Sequence, residues 1–446
     1  MNDEETGLPP AGEGAQPPPP PPPAPPPPQP PQPEEPGAGE QVRIVINDDL
    51  ERSRWTVGFR LILVIPHLIF LYVWGLLAVV MAVINWFAIV FSGRTVGGDL
   101  QTRFLRYFTH VDAYLYLAAN PFPPFGGGEG YAIDLVAVEQ RHQNRWKTLF
   151  RLVLAVPALI LGGVAIGASG VFGGSGHFRT SFGILGTVAF LAWFASLARA
   201  RMPRGLRDLS AYALWYSAQA AAYLLLVTDR YPNSDPLVPD YGPPARDHPV
   251  RISCDDDLRR SRLTVFFRLL LWLPHLVWLI LWGIVTFFAI IANWFVTLFS
   301  GTPAASLHRF ISSYLRYSTH NFAFIGLVAN PFPGFTGREG SYPIDLSIAR
   351  PGRQNRWKTG FRIILVVPAY LVSGALGNAL SVVALFGWFT GLFLGRMPQG
   401  LRNLGVFALR YQAQLNAYLW LLTDAYPFSG PSLESASAPT PAPETV

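Results

Sequence analysis

The sequence predicts an all-α membrane bundle with short β-strands at its cytoplasmic face, assembled by tandem duplication. Three observations lead there. Half of the 446 residues are hydrophobic and only 14% are charged, against roughly 25% in a soluble domain. The uncharged stretches are long: between Arg60 and Arg94 only His67 and Asn85 are strongly polar. Finally, long segments of the chain recur. This composition excludes a chain disordered for most of its length and disfavours a soluble enzyme. The lone Cys254 excludes a disulfide framework and a cysteine-based metal site.

The repeat gives the order of elements. VRIVINDDLERSRWTVGFRLILVIPHLIFLYVW (42–74) returns as VRISCDDDLRRSRLTVFFRLLLWLPHLVWLILW (250–282), and QNRWKTLFRLVLAVP (143–157) returns as QNRWKTGFRIILVVP (354–368). Each half is itself double, so four units follow in the order A, B, A′, B′. Each unit opens on an arginine and a proline: Arg60 to Pro66, Arg151 to Pro157, Arg268 to Pro274, Arg362 to Pro368. A Trp-Phe pair follows at Trp86, Trp193, Trp294 and Trp388, and an aromatic-rich third segment ends in Asn-Pro-Phe-Pro or Thr-Asp-x-Tyr-Pro. The expected domains are a proline-rich arm (1–40), a first membrane half (41–240), a second (249–429) and a low-complexity tail (430–446).

These residues carry a resemblance. Arg-Leu-x-Leu-x-x-Pro-His, then Trp-Phe, then Ser-Gly-Arg, then Leu-Thr-Asp-x-Tyr-Pro is similar to the bacterial membrane family called domain of unknown function 4389, over most of 42–429 as four copies. The resemblance implies membrane residence and brings no reaction or cofactor. Units A and A′ keep Pro66-His67 and Pro274-His275, whereas B and B′ have Pro157-Ala158 and Pro368-Ala369. No role needing histidine in all four copies survives that difference.

A straight helix over the run from Arg60 to Arg94 is about 50 Å long, too long for a hydrocarbon core of about 30 Å. Each unit is therefore expected to fold as a transmembrane hairpin turning near Trp74-Gly75 or its equivalent. Unit B has a polar insertion at that point (Gly167 to Ser181, with His177 and Arg179), and unit B′ has Gly377-Asn378. Basic residues gather at the open ends, so the positive-inside rule places those ends and both termini in the cytoplasm. The third segments are read as amphipathic in-plane or re-entrant helices. Eight spans result, and twelve if the third segments cross. Alternating pieces at Val42–Ile46, Val250–Cys254, Tyr131–Leu135 and Tyr342–Leu346 are expected to pair as a small cytoplasmic sheet capping the bundle.

Residues 41–429 hold 34 basic and 19 acidic residues, set at the ends of apolar runs and not on a face interleaved with stacking aromatics, which argues against nucleic acid. The partners expected are the lipid bilayer and, through the arm with 17 prolines in its first 40 residues, a protein with a proline-binding groove. Polar groups inside a membrane are functional candidates. His67, His275, Asn85 and Asn293 are the intramembrane ones, with a structural histidine and an interhelical glue role as the plainer readings. His110, His320, Asp229 and Asp424 are interfacial candidates. No catalytic set, cofactor or metal site is expected. The function expected is a membrane scaffold or sensor module. The alternative is a transporter or channel with a polar path between the halves.

Overall fold

The computed structural model describes residues 42–97, 99–167, 183–242, 247–350 and 352–432. The proline-rich arm, most of the unit B insertion and the C-terminal tail lie outside the described residues. In unit A, β1 (Val42–Ile46) leads into α1 (Arg54–Leu63) and α2 (Ile65–Ser92), followed by α3 (Asp99–Leu115) and β2 (Ile133–Ala137). Unit B has α4 (Arg145–Leu149), α5 (Arg151–Ile166), α6 (Ile184–Arg199) and α7 (Arg204–Leu224). Unit A′ has β3 (Val250–Cys254), α8 (Arg262–Phe266), α9 (Arg268–Ser300), α10 (Ala305–Ile325) and β4 (Ile344–Ile348). Unit B′ has α11 (Arg356–Gly360), α12 (Arg362–Leu365), α13 (Val367–Leu394) and α14 (Gln399–Leu419).

Each unit is thus one long rod and one inner helix. In rod A the joint between α1 and α2 is Val64, itself helical at φ −79° and ψ −16°, with Pro66 in the first turn of α2. A proline is tolerated there because its missing N–H has no partner to lose. The rods of A, A′ and B′ stop at Gly93, Gly301 and Gly395, all left-handed. A glycine in that conformation is the common helix stop.

The expected hairpins do not form. α2, α9 and α13 run unbroken through Trp74-Gly75, Trp282-Gly283 and Gly377-Asn378. A lone glycine costs a helix only about 1 kcal/mol, and no proline or left-handed residue stands beside these to reverse the chain. Two of the glycines instead admit the inner helix: a Cβ on Gly283 would sit 2.8 Å from the Tyr314 hydroxyl, and one on Gly75 would touch Phe104. Three helices, Ile65–Ser92, Arg268–Ser300 and Val367–Leu394, are long and apolar enough to cross a membrane, consistent with membrane association. In rod B the chain leaves at Gly167 and re-enters at Gly183, and the backbones of these two residues touch. α5 and α6 both pack on α13, so together they occupy the place of one rod.

Consecutive rods are antiparallel. At one end Arg54 donates to the Ala198 carbonyl of α6, and Glu51 pairs with Arg201. At the other, the Gln143 N–H donates to the Gly93 carbonyl, and Arg94 pairs with His142. The open ends of A and B therefore lie at opposite ends of the bundle, not together on one side.

The inner helices α3, α7, α10 and α14 form a buried middle layer under the rods, paired α3 with α7 and α10 with α14. Their polar residues find partners inside the protein. Nor do the strands make one four-stranded cap. They form two separate antiparallel ribbons, β1 with β2 (Val42↔Ala137 to Ile46↔Ile133) and β3 with β4 (Val250↔Ile348 to Cys254↔Ile344). Each ribbon lies along the inner helices, β2 on α3 and β1 on α7, β4 on α10 and β3 on α14. Inner side chains supply the ribbon carbonyls: Arg106 donates to Leu135, Arg316 to Leu346, Trp215 to Val42 and Gln414 to Val250. The result is three layers, rods, inner helices and ribbons, with the main apolar core between rods B and B′ and their inner helices.

The loop after α3 passes over it at Gly127, where φ is +70° and a Cβ would lie 2.9 Å from the Arg103 carbonyl oxygen. Gly127→Ala is expected to cost about 1–3 kcal/mol, read as a lowered unfolding midpoint of the purified protein. Gly128→Ala, with open space and an ordinary φ, should stay within about 0.5 kcal/mol.

Candidate functional site

The most repeated polar feature is an arginine buried at the rod start. The Arg60 guanidinium, 2% exposed, donates from one nitrogen to the Tyr114 carbonyl (2.7 Å) and the Ala119 carbonyl (2.9 Å), and lies over the Tyr114 ring at 4.2 Å. Arg151 does the same with Tyr223 (2.6 Å), Thr228 (2.7 Å) and the Tyr223 ring. Arg268 binds the Phe324 and Ala329 carbonyls, and Arg362 those of Tyr418 and Thr423. In each case the two carbonyls flank a leucine held left-handed: Leu117 (φ 62°), Leu226 (62°), Leu327 (60°) and Leu421 (64°). A second side chain binds that leucine's own carbonyl: Arg52 and Arg260 in the A units, Gln143 and Gln354 in the B units. A helix end leaves up to four carbonyls without partners. These side chains close the end of every inner helix.

The arginines opening the units had been counted as topology signals. Arg52, Arg60, Arg151, Arg260, Arg268 and Arg362 are all buried and belong to the fold. Arg52 and Arg260 are further paired with Asp48 and Asp256 at 2.8 Å.

The histidines are enclosed. His67 hydrogen-bonds through Nδ1 to the Tyr107 hydroxyl (2.6 Å), with the Phe125 ring stacked on it and the Phe122 ring tilted beside it, both at 4.4 Å. His275 repeats this with Tyr317 (2.8 Å), Phe332 and Phe335. In both copies the partner is a tyrosine of the inner helix. His110 and His320 bond through Nε2 to Asp134 and Asp345 at 2.8 Å and lie against Tyr131 and Tyr342. Each ties an inner helix to its ribbon. Burial opposes ionisation of Asp134. The histidine hydrogen bond, the Gly130 N–H and the charge of Arg106 outweigh it and hold the carboxyl below its usual range.

Asn85 donates to Gln101 (3.0 Å) and accepts from the Val96 N–H (2.7 Å), fixing the reversal after α2. Asn293 donates to the Trp420 carbonyl at 3.3 Å. Asp229 and Asp424 accept from the N–H groups of Asn144 and Asn355, whose side chains cap α4 and α11. Asp424 also receives Arg362 at 2.5 Å. His67 and Asn85 thus bond within unit A and His275 within unit A′, while Asn293 reaches unit B′. Among the described residues no group of three or more His, Cys, Asp or Glu is placed to hold a metal ion.

Two grooves among the described residues are open to the surface. One, of about 610 Å³, is almost wholly apolar and runs along α9 from Trp272 to Phe288, with Tyr314 and Phe322 of α10 on its floor. The other, of about 720 Å³, lies at a rod end between Arg259, Asp257, Asn330 and Arg396. Neither holds a nucleophile with an adjacent base.

Asp112, two residues after His110, has no counterpart in the second copy, where α10 has Phe322. Its burial pushes the carboxyl up to about 7. A raised value means the neutral form suits the fold: that stability is complete below the ordinary carboxylate range and is lost as pH rises through about 7. Asp112→Asn should therefore melt several degrees higher than the parent near pH 8, with the gap closing towards pH 4. Arg60→Lys keeps the charge but cannot serve both carbonyls and the ring. It should lower stability by about 2–5 kcal/mol in equilibrium unfolding, whereas Arg54→Lys at the exposed rod start should change it by less than about 0.5 kcal/mol.

The family model described as Domain of unknown function (DUF4389) matches residues 54–126, 262–336 and 356–429. These are units A, A′ and B′. Unit B repeats their arrangement but is not matched, and its rod is the one interrupted after Gly167. No curated protein and no solved structure matches the chain. Three copies of one domain, each a rod with its inner helix, place this chain in the DUF4389 family, whose function is unknown.

Proposed function

We propose that the protein is a membrane-resident scaffold that anchors a proline-rich recruiting arm. One observation supports this above the others: the repeated buried arginines, histidines and asparagines spend their hydrogen bonds on the protein's own backbone and side chains, while the rods turn apolar side chains outward along their whole length. Trp55 is 78% exposed, Leu61 74%, Tyr72 71% and Phe91 76%. Exposed apolar surface on this scale marks a membrane or partner face. Groups tied to their own fold in this way serve packing, although one ring nitrogen of each of His67, His110, His275 and His320 is buried without a partner. In this reading the four units serve as anchor and platform, and the proline-rich sequence of residues 1–40 is what a partner with a proline-binding groove recognises.

The test compares proteins crosslinked and co-purified from native membranes with the full chain and with a chain lacking residues 1–40. Loss of specific partners on deletion supports the reading; an unchanged set removes the arm from it. Flux of any solute through proteoliposomes, abolished by His67→Ala with His275→Ala, would favour a transporter instead.

A further inference from the structure

We infer that the four rods lie in the plane of the membrane, embedded side-on in one anionic leaflet, with the ribbons facing water. The inference rests on the membrane residence proposed above, not on the arm or its partner.

The first argument is length. α1 has 10 residues and α2 has 28, joined through Val64, so rod A is about 58 Å long at about 1.5 Å per residue. The hydrocarbon core is about 30 Å thick. Apolar side chains are exposed from Trp55 at one end to Phe91 at the other. Upright, nearly half of that surface would stand in water; side-on, all of it enters lipid.

The second is charge. Because consecutive rods are antiparallel, exposed basic residues gather at both ends: Arg54 with Arg199 and Arg201 at one, Arg94 with Arg145 and Lys147 at the other. An upright bundle would carry equal positive charge on both sides of the membrane, contrary to the bias of spanning proteins. Side-on, every one of these groups reaches the same layer of lipid phosphates, and each such contact favours the anionic surface. One pair points directly at such a partner. Where the first half sets Glu51 opposite Arg201, the second sets Arg259 opposite Arg396. No described carboxylate pairs with either side chain, although Asp257 lines the same groove. Like charges directly opposed are destabilising, and a phosphate between them relieves this.

The third is the placement of the ribbons. Their outward residues include Arg43 and Arg251, which an upright slab would turn to lipid, where an arginine is costly.

The inner helices run along the rods, so the whole helical content shares one orientation. Oriented circular dichroism of the unmodified full chain in stacked bilayers containing anionic lipid is expected to show the strong axis-polarised band of in-plane helices; loss of that band overturns the inference. On a Cys254→Ala background, single cysteines replace Ser53, Tyr72 and Arg94 in sealed vesicles. An impermeant thiol reagent added to one side should label Ser53→Cys and Arg94→Cys together, leaving Tyr72→Cys protected. Labelling of the two ends from opposite sides means upright rods, and labelling of Tyr72→Cys from the far side means hairpins; either overturns it. Release of the protein by alkaline washing would instead defeat the membrane reading itself.

Discussion

The fold depends on one contact made four times: an arginine from the start of a rod reaching the last carbonyls of the inner helix beneath it. Each inner helix ends through a leucine in a conformation that costs about 1–2 kcal/mol for an L-residue and leaves carbonyls facing a buried space. A guanidinium, planar and with several donors, is the side chain able to meet two carbonyls and an aromatic face together. The contact fixes where the rod sits on the helix. Whatever the rod adds beyond this, length and apolar surface, is free to face outward.

From this follows the division of labour between layers. Rods carry almost no polar groups except on the stripe they bury, which includes His67, Asn85, His275 and Asn293. The middle layer carries the rest, and its polar groups bind the layer on either side: tyrosines to the rod histidines, His110 and His320 to the ribbon aspartates, Arg106 and Arg316 to ribbon carbonyls. Two-stranded ribbons are weak alone. Here the inner helices supply side-chain donors along them, so the ribbons need no further strands.

Much of this was legible in the chain, and the failures share a cause. The four units, the alternating strands and the membrane character are periodic or compositional, and such signals survive without knowledge of neighbours. The hairpin expectation fails because a bilayer thickness does not decide whether an apolar run of 28 residues stays one helix. The glycines at 75 and 283 looked like turns, yet they are small because Phe104 and Tyr314 press against them. The opening arginines looked like loop charge because nothing local distinguishes an exposed arginine from one whose carbonyl partners are more than fifty residues away. For the same reason the histidines could be singled out but not their tyrosine and aspartate partners. The recurring order, an opening arginine and then an aromatic near the end of the inner helix (Arg60 and Tyr114, Arg151 and Tyr223, Arg268 and Phe324, Arg362 and Tyr418), is the signal that pairs them.

The touching ends of α5 and α6 have a consequence for the covalent chain. Continuity of rod B across Gly167 and Gly183 is maintained by packing on α7 and α13, not by the peptide bonds that link the two pieces. The polypeptide is therefore severable at that point in principle. Two separately translated fragments, one ending after α5 and the other beginning at α6, have the surfaces needed to reassemble, and foreign sequence spliced between them would burden the architecture little.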